Sequence, residues 1–181
     1  MTSALQTLGS ATWTVEGGRL APWPKAPVIG PSAVRGFRAP AYAQVVAQLG
    51  TALVENFSEA QRARTGLIVG TVVGSAAADF DFFTSVKVRG PTHGSPQAFV
   101  YTLPTAMLAE ASRALGLKGP VASVSAGVDS EAQALVEAEA AIRRGRADAM
   151  LVGMLNACWG PAGQGALIDE SLTLTLYRSA P

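Results

Sequence analysis

The chain has 181 residues, of which 49% are hydrophobic and 15% charged, and its net charge is +1. It is therefore more apolar than a usual soluble domain, in which about a quarter of the residues are charged. The length suits one domain, and the absence of a basic block or an acidic tail argues against a nucleic-acid partner. The single cysteine, Cys158, excludes an internal disulfide and a cysteine-based metal cluster within one chain.

The first half of the sequence predicts strand and helix in alternation. Residues 11–16 are expected to form a strand, and the proline-rich stretch 21–40 a loop or an extended cover. Apolar residues at helical spacing predict a helix over 41–57. The glycine-bounded, β-branched run 66–73 predicts a buried strand.

The second half continues the alternation. The stretch SAAADFDFFTSV is ambiguous and predicts one or two helical turns, while a helix is expected from Pro104 to Gly116. Four further elements are predicted: a strand at 121–127, a helix at 129–145, a strand at 149–155 and a final strand at 166–178. The order βαβαβαββ predicts an α/β fold with a mostly parallel five-stranded sheet and helices packed on it. We expect residues 1–181 to form a single domain.

Nothing in the sequence predicts a membrane location. No apolar run reaches ~18–20 residues, so no transmembrane helix is expected. The N-terminus also lacks the charged and apolar regions of a secretory signal, and a cytoplasmic location is expected.

Three segments carry a family resemblance. They are RTGLIVGTVVG, GSPQAFVYTLPTAMLAEASRALGLKGP and VASVSAGVDSEAQALVEAEAAIRRGRADAMLVG. In this order, over residues 65–153, they resemble the N-terminal half of the β-ketoacyl-acyl-carrier-protein synthases, which have the thiolase fold. The resemblance implies a thiolase-like half-domain, from either a naturally short homologue or a piece of a longer chain.

The same resemblance implies a missing nucleophile. The family places a cysteine in the turn between strand and helix, where the helix N-terminus favours the thiolate. Val128 occupies that position, and valine has no nucleophilic atom. Neither Ser125 nor Ser130 stands at the tip of the turn. His93 is predicted to be a solvated loop residue and Cys158 an ordinary free cysteine, so no catalytic residue is assigned.

No cofactor or metal is expected. The glycines of TGLIVGTVVG lack the lysine and hydroxyl residue of a phosphate-binding loop, and they are predicted to permit close packing. Asp79 and Asp81 are predicted to lie in a solvated turn and not in a metal site.

The resemblance suggests that the chain binds a partner protein and does not itself catalyse the family's reaction. Chain-length factors resemble ketosynthases, lack the cysteine, pair with an active ketosynthase and help to shape the acyl tunnel. By this likeness the chain is predicted to be a non-catalytic subunit that pairs with a β-ketoacyl synthase, or with itself, in fatty-acid, polyketide or aryl-polyene-type assembly. An acyl carrier protein is a further possible partner. The candidate dimer strand comprises Val121, Ala122, Ser123, Val124, Ser125, Ala126 and Gly127. The candidate acyl-tunnel residues are Phe99, Tyr101, Leu103 and Met107.

Two other interpretations remain open from the sequence. The chain could be an acyl-thioester hydrolase or acyltransferase that uses a serine outside the family's cysteine position. It could also be a fragment of a longer, inactive ketosynthase homologue.

Overall fold

The structure is a computed structural model that describes residues 5–14, 41–72, 74–156 and 171–180. The elements are β1 (Leu5–Thr14), α1 (Ala41–Leu53), α2 (Glu59–Ala63), β2 (Thr65–Thr71), α3 (Ala76–Arg89), α4 (Pro96–Val100), α5 (Pro104–Leu115), β3 (Val121–Val124), α6 (Ser130–Arg143), β4 (Ala149–Asn156) and β5 (Ser171–Ser179). Among the described residues, no helix combines the length and the apolar character needed to cross a bilayer.

The five strands form one sheet in the order β1-β5-β4-β2-β3. Strand β2 pairs in parallel with β3 and β4, whereas β5 pairs antiparallel with β4 and β1. The predicted α/β class and strand number are confirmed. The sheet is mixed and not mostly parallel, because no helix of the described chain separates β4 from β5, and β1 joins the far side of β5.

Apolar side chains pack on both faces of the sheet. On one face, α1 and α5 cover the leucines of the central strands. That cluster includes Val46, Leu67, Leu108, Leu115, Leu151 and Leu174. On the other face, α6 lies on β2 and β4 through its small residues Ala134, Ala138 and Ala141, which contact Ile68, Met150 and Val152. The result is a three-layer arrangement that holds the start of α6 at the carboxyl ends of β2 and β3.

Several element bounds differ from the sequence predictions. Strand β1 begins at Leu5 and not at residue 11, and β3 ends at Val124 and not at residue 127. The ambiguous stretch after β2 forms the 14-residue helix α3. Helix α2 was not predicted, although Ser58 and Gln61 form a capping box at its start. The predicted loop at 21–40, Cys158 and residues 166–170 lie outside the described residues.

Candidate functional site

The turn between β3 and α6 has the geometry of an elbow. Gly127 has φ +60°, a left-handed conformation that glycine adopts without steric cost. The N–H groups of Asp129 and Ser130 donate to the carbonyls of Ala126 and Gly127, at 3.2 Å in both cases. Val128 stands at the tip with 91% of its surface exposed. The residue at the tip of the elbow is therefore almost fully exposed.

Ser130 fastens this elbow to the sheet. Its side chain is 0% exposed, and its hydroxyl accepts a hydrogen bond from the Ala126 N–H at 2.9 Å. The same hydroxyl lies 2.7 Å from the Gly127 carbonyl and 3.1 Å from the Thr71 carbonyl of β2. Because the oxygen is buried and engaged on every side, Ser130 is a positioning residue and is not available as a nucleophile.

Two glycines of β2 allow the neighbouring backbone to come close. A Cβ atom at Gly70 would lie 2.5 Å from the Ser130 carbonyl oxygen, and one at Gly66 would lie 2.6 Å from the Pro120 oxygen. These contacts confirm the packing role that was predicted for the glycines of this strand. Gly70 in particular brings the start of α6 against β2.

The elbow places the positive end of a helix dipole beside a side chain that cannot act as a nucleophile. The partial positive charge of the α6 N-terminus is directed at the tip, where it would favour an anion. Val128 supplies neither a thiol nor a hydroxyl, and the neighbouring Asp129 makes no side-chain capping bond. Ser125, just beyond β3, is exposed. Val128, the residue at the tip, therefore contributes an aliphatic side chain to the elbow.

His93 lies in the loop before α4 and is exposed, with its Nδ1 2.9 Å from the hydroxyl of Thr92. This placement confirms the prediction of a solvated loop histidine. The prediction of a solvated turn at Asp79 and Asp81 is wrong, because both residues belong to α3. Within the described ranges, no group of three or more His, Cys, Asp or Glu side chains is placed to hold a metal ion.

The four candidate tunnel residues differ widely in exposure. Phe99 and Leu103 are 57% and 65% exposed, whereas Met107 is 4% exposed and belongs to the core. Tyr101 is half-buried against that core. Burial raises the pKa of its phenol; the nearby Glu110 raises it further and Arg113 lowers it.

The space beside Met107 is a cavity of about 10 Å³ lined by residues of α1, α5 and three strands. That is room for about one water molecule. The tunnel assignment stays a prediction.

Strand β3 forms one edge of the sheet. Among the described strands it pairs with β2 alone, and its four residues, VASV, carry no charge. The Leu67 N–H donates to the Pro120 carbonyl at 2.8 Å. In a parallel strand, successive residues direct their main-chain N–H and C=O groups to opposite sides. Since Pro120 faces β2, Val121 and Ser123 direct theirs away from β2. Sequence reasoning had singled out this strand but could not establish that it lies at the edge.

An exposed apolar surface on α3 was missed by sequence reasoning. Phe80, Phe83 and Val88 are 42%, 62% and 78% exposed. The signal was present in the sequence as helical spacing, but the interpretation of the segment as one or two turns hid it.

Comparison with known proteins extends these observations. The family model for the beta-ketoacyl synthase, N-terminal domain, matches residues 42–175. The chain is 31% identical over 109 residues to the oxytetracycline polyketide beta-ketoacyl synthase 1 of Streptomyces rimosus, covering 57% of this chain and 26% of that protein. It is 33% identical over 96 residues to nodulation protein E of Rhizobium meliloti (strain 1021), covering 53% of this chain and 24% of that protein. The match thus spans about a quarter of each of these relatives.

Solved structures with a similar fold include two that contain a chain length factor. A ketosynthase in complex with its chain length factor from Xenorhabdus doucetiae has a TM-score of 0.61 at 17% identity, over 76% of this chain and 57% of that one. The ishigamide ketosynthase/chain length factor has a TM-score of 0.66 at 20% identity, over 85% of this chain and 49% of that one. At these identities the likeness shows the fold.

Proposed function

The chain belongs to the family of the β-ketoacyl synthase N-terminal domain, and from this premise we propose that it is a non-catalytic, chain-length-factor-like subunit. In this proposal it pairs with an active β-ketoacyl synthase in polyketide or fatty-acid assembly, in the cytoplasm. The observation that carries the proposal is the elbow, which has a left-handed glycine, a buried serine and a helix N-terminus but presents Val128 at its tip.

The geometry of the elbow supports a chain that keeps the family's fold but has lost its condensation reaction. A ketosynthase of this family forms a bond between a cysteine thiolate and the acyl group, and the thiolate is the required nucleophile. Val128 cannot form that bond at any pH. The Ser130 hydroxyl is buried and held by three main-chain groups, so it does not substitute for the thiol.

The edge strand supports a partner. Proteins that leave a strand unpaired usually protect it with charge, proline or a bulge. Strand β3 has none of these within Val121–Val124, and its outward main-chain groups are available for pairing. We propose that the synthase pairs along 121–127, as the resemblance implies.

The candidate tunnel residues fit this proposal through their exposure. The side chains of Phe99 and Leu103 project from the surface near the end of α4, and a partner could receive them. Met107 supports the wall from within the core. An acyl carrier protein is expected to reach the assembled pair and not the lone chain.

The edge proposal can be tested by hydrogen exchange and one substitution. On mixing with the β-ketoacyl synthase encoded nearest to its gene, the amides of Val121 and Ser123 should become protected. Ser123→Pro removes one outward N–H and should weaken the complex, because proline is tolerated at sheet edges but cannot donate. Gln133→Lys, on the exposed side of α6, serves as the control and should bind as the unmodified chain does.

The alternative of a serine-dependent thioester enzyme leads to a different result. It requires turnover of acyl thioesters by the isolated chain, lost in Ser125→Ala. Such turnover, with no protection of β3 by the synthase, would overturn the accessory-subunit proposal.

A further inference from the structure

Helices α3 and α4 form a hairpin that takes no part in the two apolar clusters of the sheet. They pack mainly against each other, and no described side chain between residues 76 and 100 belongs to either cluster. None of these described side chains is fully buried either, whereas α1, α5 and α6 each bury several residues. Segments with few buried apolar contacts are the ones that move at a low cost in free energy.

The hairpin nevertheless has internal contacts that join its two helices. The rings of Phe82 and Phe99 lie with centroids 5.3 Å apart, and the Ser95 N–H donates to the Ser85 hydroxyl at 2.8 Å. A Cβ atom at Gly94 would lie 3.0 Å from the Phe82 Cε2 atom, so the connecting loop packs closely on α3. Because these contacts lie within the hairpin, they are kept when it moves as one body.

One buried hydroxyl holds the base of the hairpin closed. Ser75, the residue before α3, is 6% exposed, and its hydroxyl donates to the Thr102 carbonyl beyond α4. The same hydroxyl lies 3.4 Å from both carboxylate oxygens of Asp79. A serine hydroxyl has one proton, so it donates to only one of these acceptors at a time. When the base opens, Asp79 can accept that hydrogen bond, and the hydroxyl keeps a partner.

Two fixed points bound the hairpin. The Gly74 N–H donates to the Thr71 hydroxyl at the end of β2, at 2.9 Å, and Tyr101 packs against the apolar cluster beneath α5. Gly74 also has φ +60°, where the absence of a side chain leaves the backbone free to turn. The hairpin is thus attached at each end by a short connection, and such connections act as hinges.

We propose that α3 and α4 move together as a hinged arm, which the hydrogen bond from Ser75 to Thr102 holds closed. Phe99, one of the candidate tunnel residues, lies on this arm and is 57% exposed, so the state of that bond determines where its ring is presented. The use of the arm toward a synthase rests on the proposed function, whereas the hinge is a property of the chain alone. All three tests below use the chain without a synthase, so failure of the hinge and failure of the proposed function are distinguishable.

The first test measures opening at the base through the reactivity of a buried thiol. With the native cysteine replaced by serine, Ser75→Cys is alkylated only when the base opens. Ser112→Cys is the matched control, because Ser112 is 4% exposed and its hydroxyl also donates to a main-chain carbonyl, that of Leu117. Compared per thiolate from the pH dependence of the two rates, Ser75→Cys should react about tenfold faster or more. Equal rates would overturn the proposal.

The second test measures the distance from the arm to the body by double electron–electron resonance. Spin labels at Val88→Cys on α3 and Val136→Cys on α6 replace side chains that are 78% and 57% exposed. Ser75→Ala should raise the ratio of open to closed arms by about two- to tenfold, because one hydrogen bond is lost. Ser112→Ala should leave the distances unchanged, and a label pair within the body, at Glu59 and Val136, should keep its distance in every variant. If both serine variants change the arm distance equally, or if neither does, the proposal is wrong.

Hydrogen exchange separates movement of the arm from its unfolding. The Gly90 N–H donates to the Val86 carbonyl at 2.8 Å, and the Phe99 N–H donates to the Ser95 carbonyl at 3.0 Å. Both amides should exchange at the same rate in Ser75→Ala as in the unmodified chain, because an arm that moves as one body keeps these bonds. Faster exchange at both amides in Ser75→Ala, with the sheet still protected, would mean that the hairpin unfolds, and the hinge would be refuted.

Discussion

Substitution of Gly70 by alanine tests how the elbow is held against the sheet. The new Cβ atom would lie 2.5 Å from the Ser130 carbonyl oxygen and 2.7 Å from its carbonyl carbon. Ordinary contact begins at 3.4 Å, so the backbone at the start of α6 must move by about 0.9 Å. Backbone atoms cannot rotate out of the way as the end of a side chain can.

Overpacking of this kind costs about 1–3 kcal/mol. For a chain of this size, 1 kcal/mol corresponds to about 2–4 °C, so the melting temperature should fall by roughly 2–12 °C. Gly9→Ala is the matched control in β1, because its Cβ would meet only the Leu53 Cδ2 atom, at 3.3 Å. That variant should melt within about 2 °C of the unmodified chain, since the flexible end of the Leu53 side chain can shift by the few tenths of an ångström that the new methyl group needs.

Differential scanning calorimetry measures both variants directly. Hydrogen exchange at the amides of residues 126–130 reports whether the elbow has moved. Equal melting temperatures for the two alanine variants, together with unchanged exchange at the elbow, would refute the close approach of α6 to β2.

Three further predictions concern the elbow and the loop after α6. Ser130→Ala removes a buried hydroxyl and leaves a main-chain N–H of the elbow without its acceptor, so chemical denaturation should show a loss of about 1–3 kcal/mol; no loss would mean that the hydroxyl does not fasten the turn. In a background where the native cysteine is replaced by serine, Val128→Cys should react with iodoacetamide at pH 7 about two to five times faster than Val136→Cys. The reason is that the helix N-terminus favours the thiolate; equal rates would show that the α6 N-terminus does not act on the elbow tip. The Arg64 guanidinium lies 2.8 Å from the Asp148 carboxylate and lowers its pKa. The stability that this ion pair contributes is therefore present above the unfolded pKa of Asp148, about 3.9, and is lost as the pH falls through the lower pKa of the folded state. Asp148→Asn should melt slightly below the unmodified chain at neutral pH and at the same temperature in acid. A difference in melting temperature that persists in acid would point to a cause other than the ion pair.

The sequence contained enough to predict the central α/β core. The buried runs of β2 and β4 follow directly from apolar spacing, and the end of helix α6 follows from Gly145, which has φ +67°. The family motifs also located the elbow and identified Val128 as the residue at its tip. These features are local, and hydrophobic spacing with end signals determines them.

The features that depend on neighbours could not be predicted in this way. Helix α3 has phenylalanines on both its inner and outer faces, so its pattern has no clear apolar side and its length was underestimated. The prediction for β3 could not show whether the strand lies at the edge or in the middle, because that depends on pairing with β2. Met107 and Leu103 are both apolar residues near the start of α5, yet one is buried and the other is exposed.

The most direct test of the account is the mass, by light scattering, of the purified chain mixed with the β-ketoacyl synthase encoded nearest to its gene. The account predicts a stable complex with equal numbers of the two chains, which Ser123→Pro weakens. If the synthase and the chain elute separately at their own masses, the chain is not an accessory subunit of that synthase, and the central claim is contradicted.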